Sequence, residues 1–214
     1  MGRQTKLLKR KRWRMLADYF TRHDILNDEE IELLKSIAEP NQIRAGIGGC
    51  EDDKSWLQKI NDKFKRNSTI FWFKSGDNSE ADEIIVKVVN HMMEISHNIY
   101  NQTLHHVEPV QYTRYGPLHH YGWHMDSGFV VDGDQQIRVM SASVELDDPK
   151  SYGYGGLEFR DHPNPRPKVR KGTITCFPSL IIHRARPVFW GSRSSLVMWG
   201  GYLRNAGQQD DTAE

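Results

Sequence analysis

Gln111-Tyr112-Thr113-Arg114-Tyr115, a Gly116-Pro117 turn, and then His120-Tyr121-Gly122-Trp123-His124-Met125-Asp126 mark the point where the chain changes its period. From about residue 105 onward, short segments alternate with a two-residue step and are separated by Gly, Asp and Pro turns. They fall at roughly 107–115, 120–126, 137–146, 157–160, 173–177, 180–184 and 194–202. A period of two is that of a strand with one buried face. Several short strands at this spacing predict a sandwich or barrel.

Ahead of this stretch the period is helical. Asn27 followed by Glu30 reads as a helix start, with Ile31, Leu34 and Ala38 in one row and Leu33 and Ile37 widening it. Pro40 closes that helix. Residues 41–65, with Gly46, Gly48 and Gly49, read as a loop and a short helix, and Thr69-Ile70-Phe71-Trp72-Phe73 as a strand. Ser79 with Asp82 offers a second cap. Behind it Ala81, Ile84, Ile85, Val88, Met92, Ile95 and Ile99 predict an amphipathic helix of about five turns. Met92 and Met93 belong to that apolar stripe. The fold class expected is mainly β with N-terminal helices (α+β), in one domain spanning 1–214. Residues 1–104 are expected to form a helical cover with a flanking strand, and 105–204 the β core, with fraying expected in the polar tail from Gly207.

At 214 residues the chain is long enough to bury a core, and 37% hydrophobic with 27% charged residues is ordinary for a globular protein. The formal charge of +1 points to no nucleic-acid or membrane partner. Arg3, Lys6, Lys9, Arg10, Lys11, Arg12 and Arg14 form a local basic arm, read as solvated, with contact to phosphate or anionic lipid as the alternative. Two cysteines, Cys50 and Cys176, are too few for a disulfide framework, so a reducing compartment is the default. No apolar run is long enough to span a membrane, and no secretory signal or myristoylation pattern is present. A cytoplasmic protein is expected.

In Trp123-His124-Met125-Asp126, the histidine and the carboxylate are two apart, which on extended chain puts both on one face and Met125 on the other. Such a pair is common by chance. Phe177-Pro178-Ser179-Leu180-Ile181-Ile182-His183 brings a second histidine out of an apolar segment, where an unpartnered imidazole is costly to bury. Arg193 follows ten residues later, with Ser195 on the same strand face. Two histidines and one carboxylate are the facial triad of non-haem iron(II) oxygenases. The triad leaves open positions for a chelating 2-oxo acid and dioxygen. The far carboxylate of such an acid needs a cation, and an arginine fork matches it.

Over about residues 108–202 the sequence resembles the prolyl 4-hydroxylase-like group of 2-oxoglutarate- and Fe(II)-dependent oxygenases, especially its small bacterial and phage members. The blocks that carry the resemblance are Gln111–Gly116, His120–Asp126, Arg138-Val139-Met140-Ser141, Leu146–Pro149, Gly155-Gly156-Leu157-Glu158-Phe159 and Phe177 through His183. Pro187-Val188, Gly191, Arg193, Ser195-Leu196 and Trp199 follow in the same order. The resemblance implies a double-stranded β-helix (jelly-roll) core. It also implies Fe(II) on His124, Asp126 and His183, and 2-oxoglutarate on Arg193, Ser195 and Tyr115. Dioxygen would be the co-reactant and ascorbate a reductant, with no catalytic residue beyond the metal centre. Tyr121, Trp123, Ser143 and Glu145 are candidates for the substrate pocket. Two departures stand out. Relatives often carry Tyr or another neutral group at position 145, where this chain has Glu145, and many read Glu then Leu where it has Leu157-Glu158. An anion at 145 would repel the cosubstrate unless it pairs with Arg193 or turns to the substrate.

By the same resemblance the substrate is a prolyl residue in a protein or peptide. The rivals are a free amino acid or other small molecule, a nucleic acid undergoing demethylation, and a non-catalytic zinc-binding β-barrel. A demethylase would want a basic groove with aromatics to hold a flipped base, and zinc hydrolysis has no use for a buried cation beyond the last ligand. His105, His106, His119 and His120 read as surface or supporting histidines. Trp199 reads as packing beside the metal strands, and the basic loop Arg160–Lys171 as a solvated hairpin, with guidance of an acidic peptide as the alternative. The oligomeric state is not readable.

Overall fold

The computed structural model describes residues 18–45, 64–76, 78–126, 129–131 and 134–204. The basic arm, Cys50, most of the 41–65 segment and the polar tail lie outside the described residues.

Among the described residues, two helices pack on one face of a large sheet. Helix α1 (Asp28–Ala38) opens on a capping box: Asn27 Oδ1 accepts from the Glu30 backbone N–H, and Glu30 Oε2 accepts from the Asn27 N–H, both at 2.8 Å. It ends where a 3-10 turn, Glu39–Asn41, takes in Pro40. Helix α2 (Ser79–Tyr100) is capped by Asn78, not by Ser79, which is its first helical residue. Asn78 accepts from the Ala81 N–H, and Asp82 instead accepts from the Gly76 N–H. The cap lies one residue earlier because asparagine, unlike the following serine, has the extended backbone a cap needs. The helix ends at Asn101 in the left-handed conformation.

Among the described residues, fifteen strands follow or flank these helices. They are β1 (Phe20–Arg22), β2 (Ile43–Arg44), β3 (Arg66–Asn67), β4 (Thr69–Trp72), β5 (His106–Val107), β6 (Gln111–Tyr115), β7 (His120–His124) and β8 (Phe129–Val131). After these come β9 (Asp134–Glu145), β10 (Tyr152–Tyr154), β11 (Leu157–Phe159), β12 (Ile174–Pro178), β13 (His183–Ala185), β14 (Val188–Gly191) and β15 (Arg193–Arg204). The major sheet runs β1-β12-β9-β15-β6-β4-β2, with β5 on β15 and β8 on β9; a minor sheet runs β11-β13-β7-β3, and β10 pairs with β14. All these pairs are antiparallel, in the arrangement of a jelly-roll core.

Strand alternation sorts the major sheet into two faces. Met140, Ala142 and Val144 of β9, Ile174 and Cys176 of β12, and Leu196 and Met198 of β15 join Ile31, Leu34, Val88, Met92 and Ile95 of the helices in one buried cluster. The intervening residues, among them Ser141, Ser143 and Glu145, Thr175 and Phe177, and Arg193 and Ser195, therefore point to the other side. That second face is polar, and it lines the site.

Several expected strands change on folding. The 107–115 segment is two strands, because Pro109 has no N–H to give a ladder and Glu108 turns to bind Arg138 in a bidentate pair. The 180–184 strand is shortened to His183–Ala185: after Pro178 the chain turns, and the Ile181 N–H bonds the Pro178 carbonyl. Strands β10 and β14 carry too little alternation to be read from sequence. The 160–171 segment is not a hairpin, since β11 pairs with β13 while β12 pairs with β1 and β9. Arg170 binds Asp24, and Lys171 reaches Asp28 at 2.9 Å and Glu32 at 3.3 Å, which pins the loop to the start of α1.

Candidate metal centre

Three of the expected residues converge. His124 ends β7 and His183 begins β13, and the two are direct cross-strand partners in the minor sheet. Their side chains share a face, with ring centroids 4.2 Å apart. Asp126 sits two residues past His124, with its oxygens 3.6 Å from His124 Nε2 (Oδ1) and from His183 Nε2 (Oδ2). One donor atom from each of the three lies within 4.8 Å of the other two. Among the described residues, the other histidines stand outside this cluster; His120, for example, bonds the Phe64 carbonyl at 2.9 Å.

The imidazoles are oriented by their own strands. His124 Nδ1 lies 2.8 Å from the Gly122 carbonyl, and His183 Nδ1 2.9 Å from the Ile181 carbonyl. A carbonyl only accepts, so each Nδ1 carries the hydrogen and each Nε2 keeps its lone pair facing the gap. Burial, and after it the neighbouring His183, hold His124 well below the ordinary histidine value, at about 4. It is therefore neutral near pH 7, as a metal ligand must be.

The carboxylate is oriented from the opposite sheet. Ser141 of β9 donates to Asp126 Oδ2 at 2.6 Å, Ser179 lies 2.9 Å from Ser141, and the Asp126 N–H bonds the Ser179 carbonyl. Both serines are fully buried. Sequence reading assigned neither of them this task; Ser141 and Ser179 stood only within the blocks that carry the family resemblance, and only the fold brings their hydroxyls together. Ser141→Ala should weaken divalent-metal affinity by roughly 10–100-fold, the usual penalty for losing an outer partner of a ligand. Metal titration followed calorimetrically checks this, with far-UV circular dichroism expected to stay unchanged.

Aromatic rings wall the donors. Tyr121 stacks on His124 with centroids 3.6 Å apart, and Phe177 meets His183 edge-on at 4.7 Å. Tyr121 shares a face with His124 despite their three-residue spacing, because β7 bulges: His183 pairs with His124 while Ala185 pairs with Tyr121. Trp123 lies on the outer face, 42% exposed, under the Arg184 guanidinium, and lines neither of the cavities described here. Arg66 of β3, which sequence reading missed because it lies outside the motif blocks, sits 4.8 Å from the Tyr121 ring centroid.

A small cavity of about 50 Å³ runs from the donors to Arg193, past Tyr115, Ser143 and Ser195. The buried Trp199 indole N–H, also on its wall, has no acceptor among the described residues. A second cavity of about 400 Å³ lies beyond and shares Ser143, Leu157 and Arg193 with the first. Arg193 opens β15 directly opposite Tyr115 of β6, and Ser195 lies opposite Glu145 of β9. Burial raises the Tyr115 phenol above its ordinary value, so it remains a donor. Glu145 pairs with Arg193: Arg193 Nε and Nη2 donate to Glu145 Oε2 at 3.0 and 2.9 Å.

Residues 110–201 match the model of the 2OG-Fe(II) oxygenase superfamily. The chain is 31% identical over 104 residues to a PKHD-type hydroxylase of Shewanella baltica (strain OS185), covering 47% of this chain and 46% of that protein. It is 26% identical over 179 residues to one of Synechococcus elongatus, covering 79% and 76%. The chain thus spans about half the length of the first of these relatives. Among solved structures, a viral collagen prolyl hydroxylase from Paramecium bursaria Chlorella virus-1 superposes with a TM-score of 0.60 at 24% identity, over 86% of this chain and 96% of that one. A Pseudomonas putida prolyl-4-hydroxylase gives 0.61 at 18% identity, over 86% and 92%. The shared fold is that of these oxygenases.

Proposed function

Starting from a chain that is prolyl hydroxylase-like in sequence and carries the 2OG-Fe(II) oxygenase fold, we propose that it is a dioxygenase hydroxylating prolyl residues in a protein or peptide. His124, Asp126 and His183 would hold Fe(II), Arg193 and Ser195 would receive the distal carboxylate of 2-oxoglutarate, and Tyr115 would hydrogen-bond the cosubstrate. The observation that carries this reading is the donor set: two lone pairs and one carboxylate meet, with both imidazole hydrogens tied back to carbonyls. Such a set suits a divalent cation with open positions, and a buried guanidinium stands farther along the same cavity.

Iron bound there would supply oxidative decarboxylation of the 2-oxo acid coupled to hydroxylation by dioxygen. The chain's own residues do the rest. Ser141 and Ser179 fix the carboxylate. Tyr121 and Phe177 press on the imidazoles and exclude water. Arg193 sets how deep a 2-oxo dicarboxylate enters, and Tyr121 and Arg66 line the same cavity. The larger of the hydrophobic clusters joins both described helices to the major sheet, which supports a single domain. Cys176, buried and free, supports a reducing compartment, and we place the protein in the cytoplasm with ascorbate as reductant. No described helix is long and apolar enough to cross a membrane.

The test is direct. Fe(II)-loaded protein incubated with 2-oxoglutarate and proline-containing peptides should yield succinate and peptides heavier by one oxygen, located on proline by tandem mass spectrometry. Succinate formation with the added oxygen on no prolyl residue would move the substrate to another class. The kinship to structures of peptide hydroxylases favours protein over nucleic acid; one of them, from Trichoplax adhaerens, was solved with a peptide fragment.

A further inference from the structure

The guanidinium proposed to receive the cosubstrate already has an anionic partner. Arg193 and Glu145 are each only 3% exposed. Two of the arginine's nitrogens donate to one oxygen of Glu145, and Tyr152 donates to the other at 3.1 Å. The remaining nitrogen, Nη1, reaches only Ser195 Oγ among the described residues, at 3.5 Å. The pair is neutral as it stands. A dicarboxylic 2-oxo acid brings a second carboxylate to the same guanidinium, so one buried cation would face two buried anions. Uncompensated burial of a charge is strongly unfavourable, and a carboxyl in that position sheds its charge instead.

Among the described residues no second cation is free to replace Arg193: Arg66, on the wall of the smaller cavity, is bonded to Ser68 Oγ at 3.0 Å and to Gln111 Oε1 at 2.9 Å. Arg193 on β15 and Tyr152 on β10 are the polar groups against Glu145. Asp147, beyond the end of its own strand, adds a like charge but is occupied by Lys35 at 2.7 Å. Across the larger cavity, Arg186 is committed to the Gly155 and Tyr154 carbonyls, and Arg166 and Lys168 are exposed. Tyr115, on the opposite side of Arg193, carries no charge. Burial already pushes the Glu145 carboxyl above its ordinary value, against the pull of Arg193.

We propose that Glu145 makes cosubstrate binding proton-linked: the distal carboxylate of 2-oxoglutarate settles on Arg193 as Glu145 takes up one proton from solvent. The inference rests on the reading of Arg193 given above. No bond changes except that one carboxylate becomes a carboxylic acid, which Tyr152 still contacts. Glu145 is thus a positioning and selecting residue. It favours binding at lower pH and penalises acids that keep both charges without supplying the proton.

The test is calorimetric. The full chain, loaded with Fe(II) under nitrogen, is titrated with 2-oxoglutarate in buffers of different ionisation enthalpy, and separately with 2-oxopentanoate, which keeps the chelating end and lacks the far carboxylate. The expected result is uptake of about one proton with 2-oxoglutarate and none with 2-oxopentanoate. The Kd for 2-oxoglutarate should rise about tenfold per pH unit while Glu145 is ionised in the free protein. E145Q should bind 2-oxoglutarate with no proton uptake and a flat pH dependence. Binding of 2-oxoglutarate without proton uptake, or equal uptake with both acids, overturns the proposal while leaving the cosubstrate site intact. No binding of either acid overturns the cosubstrate site itself and this proposal with it. The comparison of the two acids on the wild-type chain decides the matter even if E145Q does not fold.

Discussion

Asp126→Ala protein should form no succinate above the metal-free background, a larger fall than the roughly 10–100-fold that losing an outer partner of a ligand brings. Asp126 is the one anion of the donor set, and it lies 3.6 Å from the Nε2 atoms of both histidines. Without it the two neutral imidazoles face each other across a gap with no charge to hold a divalent cation. Ser141 loses its acceptor and keeps only Ser179, so the gap is neither anionic nor ordered. Asp126→Asn, which preserves shape, should fail almost as completely, because an amide brings no charge. Succinate measured by coupled assay, beside a metal titration of the same protein, checks both variants. Full turnover by either would remove Asp126 from the ligand set.

Arg193→Met should be the most destabilising single change in the cavity, by about 3–5 kcal/mol, since it leaves Glu145 buried without its cation. The sign with pH follows from Glu145. Its folded-state value already lies above the ordinary one and would rise further without the guanidinium. The folded variant then holds a proton that the unfolded chain has released. Its deficit is therefore small below the unfolded carboxyl value of about 4.3 and grows as pH climbs above it. Replacing Glu145 by Met in the same chain should recover most of the loss, because a buried pair exchanged whole for apolar groups is often neutral. Urea unfolding of the two single variants and the double variant measures the coupling. A single variant as stable as wild type at pH 8 would contradict it.

Much of this was legible beforehand, for a physical reason. The capping pair Asn27 and Glu30, the apolar stripe of α2 and the change to a two-residue period at 111–126 are local patterns, each set by the geometry of one element. His183 stood out because an imidazole is expensive to place in an apolar segment without a task; the His124 and Asp126 pair, common by chance alone, and Arg193 gained their roles from their order and spacing within the family resemblance. Other features depend on distant partners. Ser141 and Tyr152 are unremarkable as letters and acquire roles only when β9 meets Asp126 and β10 meets Glu145. The Glu145 pairing was foreseeable only as one of two choices, because choosing required knowing that β9 and β15 are neighbours in register. The shortened 180–184 strand and the displaced cap of α2 were lost to backbone conformation, which the side-chain pattern does not report.

Asp126 accepts from Ser141 and gives its backbone N–H to the Ser179 carbonyl, at the rim of the major sheet, while the imidazoles beside it belong to the minor one. The three donors thus straddle the seam between two layers. Any ion seated among them acts as a rivet: it clamps the mouth of the barrel from inside, and the same contact that prepares the chemistry also fixes how wide that mouth can gape.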